Sequence, residues 1–283
     1  MGAHTIEIAE GLIALCNTYE VDGQVSWHSP AARGFATANC YLLQEDRDAL
    51  LIDTGLTVHG DALERQLRDA LDGDANLSIL VLRQGEFDSV CNLLPLVDRF
   101  GVRTVYGQFD DILRWADFRN DFDVSDGWVP AGGEVSSVRL SREATLTLGR
   151  DAGRRLHVFR PLLRLLSTHW IYDEAHRTLF TSDSFSYVVR PAESGPWRLT
   201  PENDDVTVEH ICDHLVNTRY WWLAESDVEA VRRDLSTVFD RHDVEHIAPA
   251  FGAVISGRAV VARHVALLDE SIAQLGHRAA ARV

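Results

Sequence analysis

The sequence contains no lysine, so all 27 of its basic residues are arginines. Aspartate and glutamate together number 43, which leaves a formal net charge of −16 at pH 7. A surface this acidic repels nucleic-acid backbones and anionic membranes, because both carry negative charge. We therefore expect no nucleic-acid partner and no membrane partner, with a local cluster of arginines as the exception that the composition allows.

Long apolar runs and paired cysteines are also missing. No stretch approaches the ~18 consecutive apolar residues of a membrane-spanning helix, and the opening MGAHTIEIAE lacks the basic start and apolar run of a signal peptide. The four cysteines, Cys16, Cys40, Cys91 and Cys212, form no CxxC pair. These absences predict a cytoplasmic protein whose cysteines are reduced.

The first half of the chain alternates strand patterns with helix patterns. Asn39–Gly55 reads as two apolar strands joined by a charged turn, and Val58–Leu71 has apolar residues at helical spacing. Leu77–Gln84 is a short apolar run typical of a buried strand. The sequence then predicts one helix over Asp88–Phe100, with Pro95 as a possible kink.

The second half repeats this order after a polar and aromatic loop, Asp117–Glu134. Thr168–Asp183 predicts a hairpin, and the last third predicts helices, the second of which we expect Ser226 to cap. Strands followed by helices, twice, predict two sheets packed face to face with helices outside. We expect one domain over residues 1–283.

Four motifs in this order resemble the metallo-β-lactamase fold. They are NCYLL followed by ALLIDTG, RQGEFDSVCNL, FRPLLRLLSTHWIYDEAHRTLFTSDSF, and IAPAFGAVISG. Within that fold they are most similar to the oxygen-reducing di-iron branch, which includes flavodiiron proteins and free-standing oxygen-binding di-iron proteins. The resemblance implies an α+β fold, an αββα sandwich of two mixed sheets flanked by helices.

The resemblance also implies where the seven side chains that bind two irons in that branch would lie. Its three carboxylate positions hold Glu86, Asp88 and Asp183. Its four histidine positions hold residues that are poor metal ligands or none: Gln84, Ser89, Arg164 and Phe251. We therefore expect a degenerate site with no intact dinuclear centre, no metal and no other cofactor.

Three carboxylates left together without a metal would raise one another's pKa and destabilise the fold unless a positive charge balances them. We hypothesise that the Arg164 guanidinium takes the metal's place by pairing with Asp183, Asp88 or Glu86. The alternative is that Arg164 points to solvent.

Two other metal sites remain open. His210 and His214 lie at i and i+4 and could bind a metal together with Glu209 or Asp213. The carboxylates Glu86, Asp88 and Asp183 alone could hold Mg²⁺ or Mn²⁺, which accept oxygen ligands.

The favoured function is a degenerate member of the fold, a pseudoenzyme or metal-independent enzyme, that binds or transforms a small molecule in the former metal pocket. If it is an enzyme, acid–base chemistry would be carried out by four residues: Glu86, Asp88, Asp183 and Arg164. The alternative is a metal-dependent oxidoreductase or hydrolase with a carboxylate-rich ligand set. We expect a homodimer, or a heterodimer with a related subunit, joined through Asp117–Glu134 and Tyr220–Trp222.

Overall fold

The computed structural model describes residues 2–150 and 153–280, with side chains described up to residue 276. Within these residues two seven-stranded mixed sheets pack face to face, with helices against their outer surfaces. The predicted αββα sandwich is confirmed. None of the helices in the described ranges combines the length and apolar character that crossing a membrane requires.

The first sheet is formed by consecutive strands, β1 to β7, in chain order. Strands β1 to β4 pair antiparallel and β4 to β7 pair parallel. The strand bounds in the described part of the chain are Ala3–Ala9, Leu12–Val21, Gly34–Glu45, Asp48–Ile52, Asn76–Leu80, Thr104–Gly107 and Ser136–Arg139.

The second sheet has the order β12-β14-β13-β11-β10-β9-β8. Strands β8 to β11 form an antiparallel meander, and β11 then pairs parallel to β13. The bounds of β8 to β14, again for the described residues, are Ala144–Leu148, Arg154–Phe159, Trp170–Asp173, Thr178–Ser182, Arg198–Leu199, His246–Pro249 and Val254–Ser256.

The helices divide between the two outer surfaces. Helices α1 to α4 belong to the first half of the chain: Gly60–Ala70, Phe87–Val90, Leu93–Phe100 and Ile112–Ala116. Helices α5 to α7 pack against the second sheet: Val208–Asn217, Val228–Arg241 and Arg258–Ala280. Short 3₁₀ turns lie at Thr57–His59, Val124–Asp126 and Trp221–Glu225.

The space between the sheets is filled by apolar side chains from both of them. Leu12, Tyr41 and Ile52 from the first sheet lie in one buried cluster with Ile171 and Phe180 from the second. Because strand side chains alternate between faces, the opposite faces of the same strands are free to pack against the helices. The buried cluster between the sheets therefore holds the two sheets in a fixed position relative to each other.

The predicted helix Asp88–Phe100 is wrong in one respect, because it is two helices that break at Cys91 and Asn92. The Asn92 side-chain amide donates to the carbonyls of Thr54 (2.7 Å) and Leu56 (3.0 Å), which ties the break to the neighbouring strand end. Pro95 lies in the first turn of α3, where a backbone N–H is not needed, so it starts a helix and does not kink one.

The predicted cap of α6 is also displaced by one residue. The Asp227 carboxylate, and not the Ser226 hydroxyl, accepts from the Ala230 N–H at 3.2 Å. The Ser226 hydroxyl donates instead to the carbonyl of Leu223.

Candidate functional site

The site lies where strands of both sheets end. Arg83 follows β5, Asp53 follows β4, Asp183 follows β11 and Phe251 follows β13. Asp53 has φ of 60°, and Ser182, beside Asp183, has φ of 55°. Left-handed backbone at residues other than glycine costs on the order of 1–2 kcal/mol and is concentrated at functional sites. The two strand ends are therefore held in a strained conformation on either side of the site.

Arg83 is the centre of the site. It is 2 % exposed, and its guanidinium lies between two carboxylates. Nη1 donates to Asp183 Oδ1 at 2.5 Å and Nη2 donates to Asp88 Oδ2. The guanidinium carbon lies 5.6 Å from the centre of the Phe251 ring, within cation–π range. A single arginine thus joins one carboxylate from each half of the sandwich under an aromatic lid.

The acids around Arg83 are hard to ionise. Burial raises the pKa of Asp183 to about 6, although Arg83 opposes the rise. Burial likewise raises the pKa of Asp53 to about 6, against the opposing effects of Arg83, the Leu82 N–H (2.8 Å) and the Ser89 hydroxyl. Both carboxyl groups therefore change charge close to neutral pH.

The same charges act on Arg83 in the opposite direction. Burial alone would lower its pKa, but the negative charges of Asp183, Asp88 and Asp53 outweigh burial and raise it. Arg83 is consequently a permanent cation.

A second ion pair closes the mouth of the site. Arg219 Nη2 donates to Glu86 Oε1, and both side chains are between one quarter and one third exposed. Burial acts to lower the pKa of Arg219, and its hydrogen bond to Glu86 and the charge of Asp183 raise it. Glu86 therefore faces Arg219 at the rim, apart from the Arg83 centre.

The charges of the site do not cancel when every group is ionised. Arg83 and Arg219 face four carboxylates, those of Asp53, Glu86, Asp88 and Asp183. Protonation of Asp53 and Asp183, whose pKa values are about 6, removes two of these negative charges. The site is therefore closest to neutral when Asp53 and Asp183 are both protonated.

The space left beside Asp183 is small. Phe251 is buried, and its ring stacks on Trp27 with 5.0 Å between ring centres. The volume open to the centre of a water molecule is about 10 Å³, which is what one water requires. Asp183 lines this cavity, and its Oδ2 is buried and has no hydrogen-bond partner in the described part of the chain. The space suits one water and is too small for an organic molecule.

Gln84 and Ser89, which we predicted to line the former metal pocket, contact other parts of the protein. Gln84 Oε1 accepts from the Phe109 N–H at 2.9 Å, and its Nε2 donates to Asp111 Oδ1 at 3.3 Å. The Gln84 side chain is thus committed to the loop after β6. Ser89 is fully buried against Asp53, whose pKa it lowers.

The hypothesis that Arg164 balances the carboxylates is wrong, because Arg83 does so. Arg164 Nη1 donates to the carbonyl of Pro161 at 2.7 Å, and within residues 2–150 and 153–280 the guanidinium forms no ion pair with Glu86, Asp88 or Asp183. The neighbouring Leu163 is 2 % exposed and packs into the core, so the turn directs Arg164 outward. The space between the carboxylates is already filled from β5.

The residues of the site do not fit the pair of metal ions that the fold resemblance implies. A buried cation lies between Asp88 and Asp183, and a metal ion there would be placed beside it. Among the residues that the structure describes, no group of three or more histidine, cysteine, aspartate or glutamate side chains is arranged to hold a metal. This also applies to the predicted groups around His210 and His214 and around Glu86.

A larger cleft adjoins the site. It has a volume of about 380 Å³ and is lined by His28, Tyr187 and His214, among others. His214 also lines the one-water cavity beside Asp183, so it separates the two spaces. Burial lowers the pKa of His28 to about 3 and that of His214 to about 4, and both rings are neutral at pH 7. The cleft is within the volume range of small-molecule sites.

The ring of His28 belongs to a hydrogen-bond chain with Tyr19 and Trp27. Trp27 Nε1 donates to the Tyr19 hydroxyl at 2.9 Å, and that hydroxyl lies 2.6 Å from His28 Nε2. In the tautomer of neutral His28 that accepts the Tyr19 hydroxyl hydrogen at Nε2, the ring proton lies on Nδ1. In that tautomer Nδ1 is the hydrogen-bond donor of His28.

Sequence reasoning missed Arg83, Arg219 and Asp53. Arg83 follows the apolar residues up to Leu82 and is the first residue of the motif RQGEFDSVCNL. A charged residue at the end of a buried parallel strand is the signal that could have found it, since such strand ends collect functional side chains. Arg219 had no comparable signal, because its position relative to Glu86 depends on how α5 packs.

Comparisons with known proteins agree on the fold. The family model described as the metallo-beta-lactamase superfamily matches residues 33–210. A comparison with curated proteins found no match.

Among solved structures, the rubredoxin oxygen:oxidoreductase of Desulfovibrio gigas is 14 % identical with a TM-score of 0.68, over 96 % of this chain and 62 % of that one. The flavodiiron protein of Giardia intestinalis is 15 % identical with a TM-score of 0.67, over 96 % and 60 %. The metallo-β-lactamase DIM-1 is 12 % identical with a TM-score of 0.55, over 95 % and 97 %. The chain thus spans about three fifths of the first two of these chains, and identities this low establish the fold alone.

Proposed function

Since the chain belongs to the metallo-β-lactamase superfamily, we propose that it is a degenerate member in which Arg83 replaces the metal charge and that it acts on a small molecule without di-iron chemistry. The observation that supports this is the buried ion pairing of Arg83 with Asp88 and Asp183. The four histidine positions that the di-iron branch would use hold other residues: Gln84, Ser89, Arg164 and Phe251.

The small molecule is proposed to bind in the His28–His214 cleft and not in the former metal pocket, because that pocket has room for about one water. The charged side chains of the cleft, Arg33, Arg190, Asp205 and Asp213, balance in sign. The ligand that suits these surroundings is uncharged, with an apolar body and an oxygen acceptor for the N–H of His28.

If the protein is an enzyme, the group placed for acid–base chemistry is Asp183. Its pKa of about 6 lies close to neutral pH, it lines the same small cavity as His214, and its Oδ2 has no hydrogen-bond partner among the described residues. A proton would pass between Asp183 and a molecule in the cleft through the single water and His214. Glu86 and Arg164, which we predicted to be catalytic, would then take no direct part in the proton transfer. Glu86 pairs with Arg219 at the rim, and Arg164 donates to the carbonyl of Pro161.

The experiment is a ligand-observed NMR screen of small uncharged alcohols, phenols and ketones against the wild type. Binders should lose saturation transfer with His214→Phe, which removes the imidazole nitrogens from the wall of the cleft and adds bulk there. They should keep it with His157→Phe on the outer face of the second sheet. Binders that are indifferent to His214→Phe would contradict the cleft as the site. Following each binder for consumption over hours separates an enzyme from a binding protein.

We also propose that the chain forms a homodimer, with a heterodimer as the alternative. Large side chains near the mouth are exposed, among them Phe87 (63 %), Trp115 (53 %) and Trp221 (62 %). Burying such a surface favours association. Tyr220, which we expected at the contact, is buried and does not contribute to this surface.

A further inference from the structure

Four arginines lie together on a protein that is otherwise strongly acidic. Arg139 ends β7, Arg142 lies in the turn to β8, Arg160 follows β9, and Arg164 lies four residues further on. The arginine cluster, as we call these four residues, therefore forms where the chain crosses from one sheet to the other. Arg160 and Arg164 are half-buried, and Arg139 and Arg142 are exposed.

One member of the arginine cluster, Arg160, contacts a buried histidine, His169. Arg160 Nε donates to His169 Nε2 at 3.0 Å, and the same ring nitrogen lies 3.1 Å from the carbonyl of Ser141. His169 is fully buried, and its Nδ1 lies 3.1 Å from the side-chain amide of Gln108. The Arg160 side chain is thus held at its Nε by a buried ring, and its two Nη groups take no part in that contact.

The positive charges of the cluster are not balanced from within. In the part of the chain that the structure describes, none of the four guanidinium groups forms an ion pair with a carboxylate. Burial and the charges of Arg164, Arg142 and Arg139 all lower the pKa of Arg160, and no carboxylate opposes them. Arg164 Nε is buried and has no hydrogen-bond partner among the described residues. Four like charges held together in this way destabilise the fold unless an anion joins them.

Two acids share a cleft with one arginine of the cluster. Asp110 and Asp111 line a cleft of about 490 Å³ together with Arg139 and Trp115, and Asp111 is held by other contacts. One of its carboxylate oxygens accepts from Gln84 Nε2 at 3.3 Å, and the other accepts from Trp115 Nε1 at 3.1 Å. Both oxygens are occupied away from the guanidinium groups.

From this arrangement we propose that the arginine cluster is a binding site for a small, multiply charged oxyanion, the chemistry of a phosphorylated or polycarboxylated molecule. Guanidinium groups match such anions because each offers two parallel N–H donors to two oxygens. On a chain of net charge −16, an anion is attracted only where positive charges stand without carboxylate partners, and none of the four guanidinium groups has such a partner among the described residues. The site does not depend on the Arg83 centre or on the cleft at His214.

The test is a calorimetric titration with pyrophosphate, and separately with citrate, in a low-salt buffer at pH 7.5. The wild type should bind at least one of the two, and added NaCl should weaken binding. Arg160→Gln, Arg164→Gln and Arg142→Gln should each weaken binding about tenfold, the effect of losing one charge-assisted contact. Arg233→Gln, which removes an exposed arginine on α6, should bind as the wild type does.

A second readout does not need the ligand. Arg142 is exposed, so Arg142→Gln should fold, and without added anion its Tm should exceed that of the wild type because a repelling charge has gone. Tighter binding of pyrophosphate than of citrate would identify a phosphorylated ligand, and the reverse a polycarboxylate. Absence of binding to both anions by the wild type would overturn the proposal, and so would variants that all bind as tightly as the wild type does.

Discussion

Replacing Arg83 by methionine removes the central cation while keeping an unbranched side chain of similar length. The variant loses two charge-assisted hydrogen bonds, to Asp88 and Asp183, each of which contributes about 1.5–3 kcal/mol. It also leaves carboxylates buried without a partner. Removing one member of a buried pair typically costs about 3–5 kcal/mol, and we expect the free energy of unfolding at pH 8 to fall by roughly that amount.

The cost should depend on pH in a definite direction. In the folded protein the pKa values of Asp53 and Asp183 are raised to about 6, above those of the unfolded chain. Each group therefore contributes stability that is present at low pH and is lost as the pH rises through about 6. Without Arg83 these pKa values rise further, so the difference between variant and wild type should be large at pH 8 and small near pH 5.

The assay is urea unfolding of both proteins between pH 5 and pH 8, followed by far-ultraviolet circular dichroism. Arg155→Met is the matched control, because it removes one arginine from an exposed position that is paired only loosely with Glu174. The control should differ little from the wild type at every pH. An Arg83→Met protein as stable as the wild type at pH 8, or one whose deficit grows as the pH falls, would refute the role given to Arg83.

Three further outcomes follow from the same site. The side chain of Asp183→Asn cannot ionise, so between pH 5 and pH 7 the unfolding free energy of this variant should decline less steeply than that of the wild type. Equal slopes of unfolding free energy against pH, measured by urea unfolding, would count against a raised pKa for Asp183. Phe251→Ala removes a buried ring that packs on Trp27 and should lower the unfolding free energy by about 3–5 kcal/mol in the same assay; a loss below about 1 kcal/mol would mean that the lid does not pack. Trp221→Arg should shift the mass from light scattering from a dimer towards 31.6 kDa, and a wild type that is already monomeric at micromolar concentration contradicts the homodimer.

The parts of the fold that could be predicted are those set by local pattern. The hairpin around Asp46 and the strand over Leu77–Leu80 follow from alternating or continuous apolar residues bounded by charged turns. The helix break at Asn92 could not be predicted in this way. It depends on hydrogen bonds to Thr54 and Leu56, more than 30 residues earlier in the chain.

The residues of the candidate site could likewise be predicted only in part. The positions of Asp88 and Asp183 follow from motifs that keep their place in the fold, and the structure brings the two together on Arg83. From the sequence we named Arg164 as the balancing cation because it occupies a former ligand position, and we did not consider Arg83. Which of the two side chains points inward depends on the packing of Leu163 and on the space under Phe251.

The metal content of the purified protein tests most directly whether Arg83 stands in place of the metal ions. Protein produced with iron and zinc supplied, then passed through gel filtration, should contain far less than one equivalent of either metal per chain by elemental analysis. Arg83→Met, measured beside it, controls for metal that binds only when the cation is gone. Two equivalents of iron or zinc retained by the wild type would contradict the account, because the carboxylates that Arg83 occupies would then have to be metal ligands.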